Sequence, residues 1–171
     1  MIVIRPCRLD ECRAVLALWE RAGAIPSPTD TLEELTQLVR AHGDGLLVAV
    51  QQGAVVGSVI GGWDGWRGNI YRLAVAPEAR RHGLARRLVH EAEQVLKTKG
   101  ARRISALVDR YEAHAVGFWD ALADRGWRRD ERMLRYIKLG GPFEAPHVPI
   151  PKARGPLRGP RAAASRSAPG A

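Results

Sequence analysis

The stretch Val75–Leu96, VAPEARRHGLARRLVHEAEQVL, decides how the rest of the chain is read. A strand-like run ends at Pro77, and from Gly83 the apolar residues Leu84, Leu88, Ala92 and Val95 recur at helical spacing. The turn between them gathers Arg80, Arg81 and His82, with Arg86 and Arg87 just inside the helix. A helix N-terminus already carries partial positive charge and unpaired N–H groups, so each added cation is unfavourable by roughly a few tenths of a kcal/mol. An anion seated between them reverses the sign, because N–H groups, dipole and guanidinium groups then all point at one charge. Gly83 lets the backbone approach that charge closely, and the small Ala85 leaves room above the first turn. The pattern is that of a phosphate cradle, although neither GxxxxGK[ST] nor GxGxxG occurs in the chain.

On either side of this stretch, strand and helix patterns alternate. IVIRP (2–6) has the composition of a strand, and Asp10 is placed to cap a helix with Cys12, Val15, Leu16 and Trp19 on its buried side. Pro26 and Pro28 interrupt the chain. Asp30, with Glu33 three residues on, predicts the capped start of a second helix that buries Leu32, Leu35, Leu38 and Val39 and runs to Gly43. LLVAVQ and VVGSVIGG, joined across Gln52-Gly53, predict a hairpin. GWDGWRGN is a loop by its glycines and NIYRLAVAP a strand. The long helix is expected over Gly83–Lys99, followed by a strand in RRISALVD, a helix over Glu112–Asp124 and a final extended stretch, WRRDERMLRYIKL. This order predicts an α/β (mixed α+β) fold: a mixed, mostly antiparallel central sheet with helices on both faces.

A chain of 171 residues with 46% hydrophobic content accommodates one packed domain, assigned here to residues 1–140. Residues 141–171 are rich in Pro, Ala, Arg and Gly with almost no bulky apolar side chain after Leu157, and are expected to stay disordered as a basic tail. Net charge is +9, and both parts contribute to it, which favours anionic partners. The tail's arginines have no interleaved aromatics, which argues against single-stranded nucleic acid as a partner. No apolar run reaches the roughly 20 residues of a membrane span, and MIVIRPCRLD lacks the layout of a signal peptide, so no membrane contact and a cytoplasmic location are expected. Cys7 and Cys12 are the only cysteines and make no CxxC pair; they are expected to be packing residues, and no metal site is expected.

Arg80-Arg81-His82-Gly83-Leu84-Ala85 fits [RQ]xxGx[GA], follows YRLAVAP and opens a long helix. With the opening IRP, the helix pair, the hairpin and the terminal aromatic helix and strand, the chain over residues 2–138 resembles the GCN5-related N-acetyltransferase (GNAT) family, and small bacterial members in particular. The resemblance implies acetyl-CoA as co-substrate and acetyl transfer to an amine on a small molecule, a peptide N-terminus or a lysine. It assigns the pyrophosphate to the backbone N–H groups of Arg81, His82, Gly83, Leu84, Ala85 and Arg86, with Arg80 and its neighbours neutralising charge. It assigns the pantetheine arm to the strand edge at Leu73, Ala74 and Val75, as an added peptide-like strand. An amine attacking a thioester creates an oxyanion, for which the Val75 N–H is the expected donor.

Many family members carry, in a segment like NxxAxxFYxxxGF, a Tyr that protonates the departing thiolate. Here Glu112 stands in the Asn position, Phe118 is retained and Trp119 takes the Tyr position. An indole N–H donates a hydrogen bond but releases no proton near neutral pH. Solvent can protonate the thiolate; Tyr111 is a candidate substitute acid, although a Tyr at a strand end more often packs. Asp64 in GWDGWRGN and Asp109 after RRISALV are the carboxylates considered for general base, although an Asp in such a place is more often a turn or cap residue. His82 is expected among the phosphates and His114 on a helix surface. Trp63 and Trp66 either wall an acceptor pocket or pack. The alternative to an enzyme is a non-catalytic acyl-CoA-binding or nucleic-acid-associated module. Oligomeric state, a homodimer included, is left open.

Overall fold

The computed structural model describes residues 1–138. Five strands lie side by side in chain order: β1 (Ile2–Pro6), β2 (Leu46–Gln51), β3 (Ala54–Trp63), β4 (Gly68–Val75) and β5 (Ile104–Ala106). The first three pairings are antiparallel and the β4–β5 pairing is parallel, so the sheet is mixed and mostly antiparallel, as expected. Gln52 (φ 50°) and Gly53 (φ 82°) turn β2 into β3, the two left-handed residues matching the strands' own twist.

Four helices accompany the sheet: α1 (Cys12–Arg21), α2 (Leu32–Ala41), α3 (Leu84–Thr98) and α4 (Ala113–Asp120). Trp19 of α1 donates its indole N–H to the buried Ser58 hydroxyl (2.9 Å), whereas Leu88 of α3 lies over Gly57. Consecutive strand residues point to opposite faces, so α1 and α3 cover opposite sides of β3. A Cβ on Gly57 would stand 2.9 Å from Leu88 Cδ1, and one on Gly68 2.9 Å from Leu96 Cδ1. Missing side chains on the strands therefore receive leucines of the helix. Val59, Ile70, Leu88 and Leu96 are fully buried on this face, and Leu46 and Val48 are fully buried on the α1 face. Truncating such a leucine to Ala typically costs about 2–5 kcal/mol.

The feature that shapes the functional edge is a bulge in β4. Gly57 to Ser58 pair with Val75 to Ala74, but Ile60 pairs with Tyr71, so Arg72 and Leu73 together oppose Val59. Arg72 takes φ 48°, a left-handed conformation that costs a non-glycine residue about 1 kcal/mol or more. Three contacts hold it there: a bond to the Ile25 carbonyl (2.9 Å), an ion pair with Asp30, and the face of Trp19, 5.2 Å from its guanidinium.

Several local expectations are corrected. Asp10 does not cap α1; Leu9–Glu11 form a 3-10 turn in which the Glu11 carboxylate accepts the Arg8 N–H (2.9 Å). The buried side of α1 is Cys12, Val15, Leu18 and Trp19, with Leu16 only half-buried. The cap of α2 is Thr31, whose hydroxyl accepts the Glu34 N–H, because Asp30 is taken up by Arg72 and the Ser27 N–H. α4 stops at Asp120 and is followed by a 3-10 turn, Ala123–Arg125, that ends on Gly126 (φ 87°). β5 is limited to Ile104–Ala106, and no strand forms over 127–138. A three-residue edge offers that segment few ladder bonds, and its start is diverted: Trp127 stacks on Trp119 and donates to Glu93 (2.7 Å), while Asp130 pairs with Arg132 and Arg103. The tail expected over 141–171 lies outside the described residues.

Candidate functional site

Two pieces of backbone with unused hydrogen-bonding groups meet at the C-terminal end of β4. The first is the turn into α3. Arg81 (φ 65°) and Gly83 (φ 75°) are both left-handed, a conformation that aims successive N–H groups into one concavity. Among the described residues, no acceptor is found for the N–H groups of Arg81 through Arg86; the next donor, Arg87, bonds the Gly83 carbonyl (3.1 Å). The first turn of α3 holds no acidic side chain that would fill them. A Cβ built on Gly83 meets nothing within 4 Å, so the space above the turn is open, and its positive φ is one that glycine adopts without strain.

The second is the free edge of β4. The Ala76 N–H donates to the Val56 carbonyl (2.9 Å), which fixes the alternation: Ala76 and Ala74 face β3, and Val75 and Leu73 face away from it. The Val75 carbonyl accordingly accepts from Arg80 Nε (3.1 Å) on the outer side. Lower on the same strand the even-numbered residues face outward, since the Gly68 N–H donates to the Arg103 carbonyl (2.9 Å) beside β5. The bulge at Arg72 thus switches the outward set from Gly68 and Ile70 to Leu73 and Val75. β5 pairs with Gly68–Ile70 only, so beyond the bulge the edge is open. Of the three strand residues singled out from the sequence, Ala74 is corrected: its N–H and C=O are turned toward Ser58.

Between these pieces lies a concavity of about 240 Å³ lined by Val75, Arg80, Arg81, Gly83, Leu84, Ala85 and Arg86, together with Ala79 and Phe118. Seven predicted residues converge there. His82 is exposed and is not among the lining groups, and Leu73 and Ala74 lie further down the strand. Arg80 lines the cavity, but its guanidinium is engaged by the carbonyls of Val75 and Ala22 (2.9 Å), and Arg86 reaches the Ala121 carbonyl (3.0 Å). Ala79 was not anticipated; a small residue between Pro77 and the arginines was the available signal, and its side chain is buried.

The acid and base candidates fare differently. Asp64 sits in the loop of the β3–β4 hairpin, beyond Gly68, which is itself seven strand steps, or ~23 Å, from Val75. Its carboxylate accepts the N–H groups of Trp66 (2.8 Å) and Arg67 (2.6 Å), bonds that hold it below the usual carboxylate range. The hairpin tip is therefore a closed turn remote from the cavity, and Trp63 and Trp66 share its position; Trp66 is stacked by the Arg67 guanidinium (3.8 Å). Because β5 runs parallel to β4, the residues after it emerge at the same end of the sheet as Val75. Asp109 there accepts the Tyr111 N–H (2.9 Å), and the Tyr111 ring is exposed. Trp119 packs on Trp127 (centroids 4.6 Å apart), whereas its neighbour Phe118 faces the cavity. His114 is exposed.

An anion cradle that continues into an open strand edge has the shape and hydrogen-bonding groups to suit an extended, phosphorylated ligand carrying amide groups. Residues 12–123 match the acetyltransferase (GNAT) family; the chain belongs to that family and is an acyltransferase. An acetyltransferase of Pectobacterium atrosepticum is 34% identical over 119 residues, 70% of this chain and 84% of that relative. The PaiA N-acetyltransferase of Thermoplasma acidophilum, solved in complex with coenzyme A, superposes with a TM-score of 0.62 at 18% identity, over 71% of this chain and 87% of its own. The diaminobutyrate acetyltransferase EctA of Paenibacillus lautus, in complex with L-2,4-diaminobutyric acid and coenzyme A, gives 0.61 at 18% identity, over 73% and 76%. These two likenesses bear on the fold. No helix among the described residues is long and apolar enough to cross a membrane.

Proposed function

We propose that this acyltransferase moves the acetyl group of acetyl-CoA directly to a primary amine within a ternary complex. The observation that carries the proposal is the conjunction of unfilled N–H groups from Arg81 to Arg86 with the outward-facing backbone of Leu73 and Val75. In this proposal the first set holds the pyrophosphate, with the dipole of α3 behind it. The outward N–H and C=O of Leu73 pair with the amide-bearing arm as a neighbouring strand would, which leaves the Val75 N–H free. Acetyl-CoA supplies a thioester carbonyl whose oxygen gains negative charge as the amine adds. The Val75 N–H, fixed in the strand, donates to that oxygen without reorganising. Holding the amine against the carbonyl supplies much of the rate, so no enzyme nucleophile is required. Neither cysteine competes for that role: both are buried, and burial, aided by nearby Cys12, pushes the Cys7 thiol up to about 12.

Asp109 and Tyr111 follow β5 and emerge at the Val75 end of the sheet, and they are proposed for moving protons to and from the reacting atoms. Asp64 is given no role. Trp119 neither faces the cavity nor releases a proton, so solvent or Tyr111 protonates the departing thiolate. The acceptor class is an amine on a small molecule, a peptide N-terminus or a lysine. Titration of the full chain with acetyl-CoA and with CoA in a calorimeter is the test, followed by thiol release across a panel of amines. Binding of both, with thiol release on addition of an amine, supports the proposal. A folded protein that binds neither overturns it.

A further inference from the structure

The segment between α1 and α2, residues 22–31, contains Pro26 and Pro28 and has no regular structure. It is nonetheless tied to β4 at both ends of the stretch that carries the proposed reaction. Arg80 bridges the Val75 carbonyl (3.1 Å) to the Ala22 carbonyl (2.9 Å). Arg72, three residues before Val75, bonds the Ile25 carbonyl (2.9 Å) and pairs with Asp30, itself bonded to the Ser27 N–H (2.8 Å). The two partners of that pair are largely shielded, with side-chain exposures of 20% and 17%. The segment therefore runs along Leu73–Val75 on two arginine pins. Arg72 differs from Arg80 in one respect: its own left-handed backbone is the extra residue of the bulge that turns Leu73 and Val75 outward.

We propose that Arg72 is a positioning residue whose side chain ties the 22–31 segment to the bulge of β4, so that the segment is held in register with the outward-facing edge at Leu73 and Val75. The carbonyl-binding N–H and the wall against which an amine is presented then share a single anchor. The proposal rests on the acetyltransferase reading of Leu73–Val75. Its physical basis is the balance at Arg72. A left-handed arginine persists only if its surroundings over-determine it, and here the determining contacts are the ones that order the segment. Released, the residues around Ile25 and Asp30 regain backbone freedom, while Arg80 still holds Ala22.

The test uses the full chain with Arg72→Gly, Arg72→Lys, Asp30→Ala and the Arg72→Gly/Asp30→Ala double variant. Glycine adopts φ near 50° freely, so Arg72→Gly keeps the bulge and removes only the anchor. Amide hydrogen exchange should rise across 22–31 and stay unchanged across 73–86, with the Kd for acetyl-CoA within about threefold of the parent. With an amine substrate in hand, kcat/KM for the amine should fall about tenfold or more while KM for acetyl-CoA holds. Asp30→Ala should reproduce the pattern, the double variant should add little to either, and Arg72→Lys should recover part of the loss. Unchanged exchange across 22–31 in Arg72→Gly overturns the proposal. So does a rise that extends across 73–86, or a loss of acetyl-CoA affinity equal to the loss in kcat/KM, since Arg72 would then act through the strand alone. A parent that fails to bind acetyl-CoA defeats the functional reading instead; a parent that binds it, with variants that match it throughout, defeats only the role of Arg72.

Discussion

Two turns in this chain expose backbone N–H groups, and they end up as opposites. At the hairpin tip, the N–H groups of Trp66 and Arg67 close on the carboxylate of Asp64, two and three residues before them. At the entrance to α3, the N–H groups of Arg81 to Arg86 find no acceptor among the described residues, and the side chains around them are cationic. The 3-10 turn at Leu9–Glu11 belongs with the first kind, since Glu11 accepts the Arg8 N–H and is itself clasped by Arg5 at 2.6 and 2.8 Å. Filled turns stabilise the chain internally. The unfilled one leaves its hydrogen-bonding capacity for a ligand, and withholding an acceptor is what makes it a site.

The most damaging way to break this contrast is to fill the open turn. Gly83→Glu places a carboxylate and a strained backbone where the space is empty; acetyl-CoA affinity measured by calorimetry should fall by at least about a hundredfold. Asp64→Ala, which opens a filled turn, should leave that affinity unchanged, and a matching loss would refute the distinction. Because the Val75 N–H faces away from β3, Val75→Pro deletes the proposed oxyanion donor without removing a ladder bond. It should lower kcat by about 10²–10³-fold in a thiol-release assay while acetyl-CoA still binds.

The smallest expected effect concerns stability alone. The paired N–H groups of Arg5, then the Arg8 N–H, draw the Glu11 carboxyl down from 4.5 to about 2 against the opposing effect of burial. A depressed folded-state value means the stabilisation is fully present above the unfolded value and is lost as pH falls through the window between the two. Glu11→Gln should therefore cost on the order of 2 kcal/mol at neutral pH by chemical denaturation. The gap to the parent should narrow between pH 4.5 and about 2. A gap that does not depend on pH would mean that packing, not charge, holds this turn.

The legible parts of the fold are those whose determinants are local. Two apolar runs joined across Gln52-Gly53 are enough to predict a hairpin, and the apolar spacing after Gly83 predicts α3 to within a residue of its ends. The convergence of Arg80 to Arg86 beside Val75 follows from the same stretch. What escaped depends on partners far along the chain. Asp30 and Thr31 are both competent caps, and which one caps α2 is decided by Arg72, 42 residues away. The orientation of Ala74 is set by a one-residue bulge, which inverts every backbone group beyond it and leaves no mark in composition. Trp119 has the right place in sequence for an active-site residue, yet Trp127, from the segment that forms no strand, turns it toward packing.

The seating of α3 has one more consequence. Leu88 and Leu96 enter the gaps above Gly57 and Gly68, two teeth separated by eight residues, or ~12 Å of helix, in sockets on two different strands. A helix engaged in this way can neither slide nor roll without colliding with the sheet. The height of the cradle above the strand edge is thereby fixed like the jaws of a gauge, and a ligand must span that interval at its own natural length. Under the proposed function, tolerance for different acceptors then has to be supplied by the loops at the rim, because the frame proposed to hold the coenzyme does not adjust.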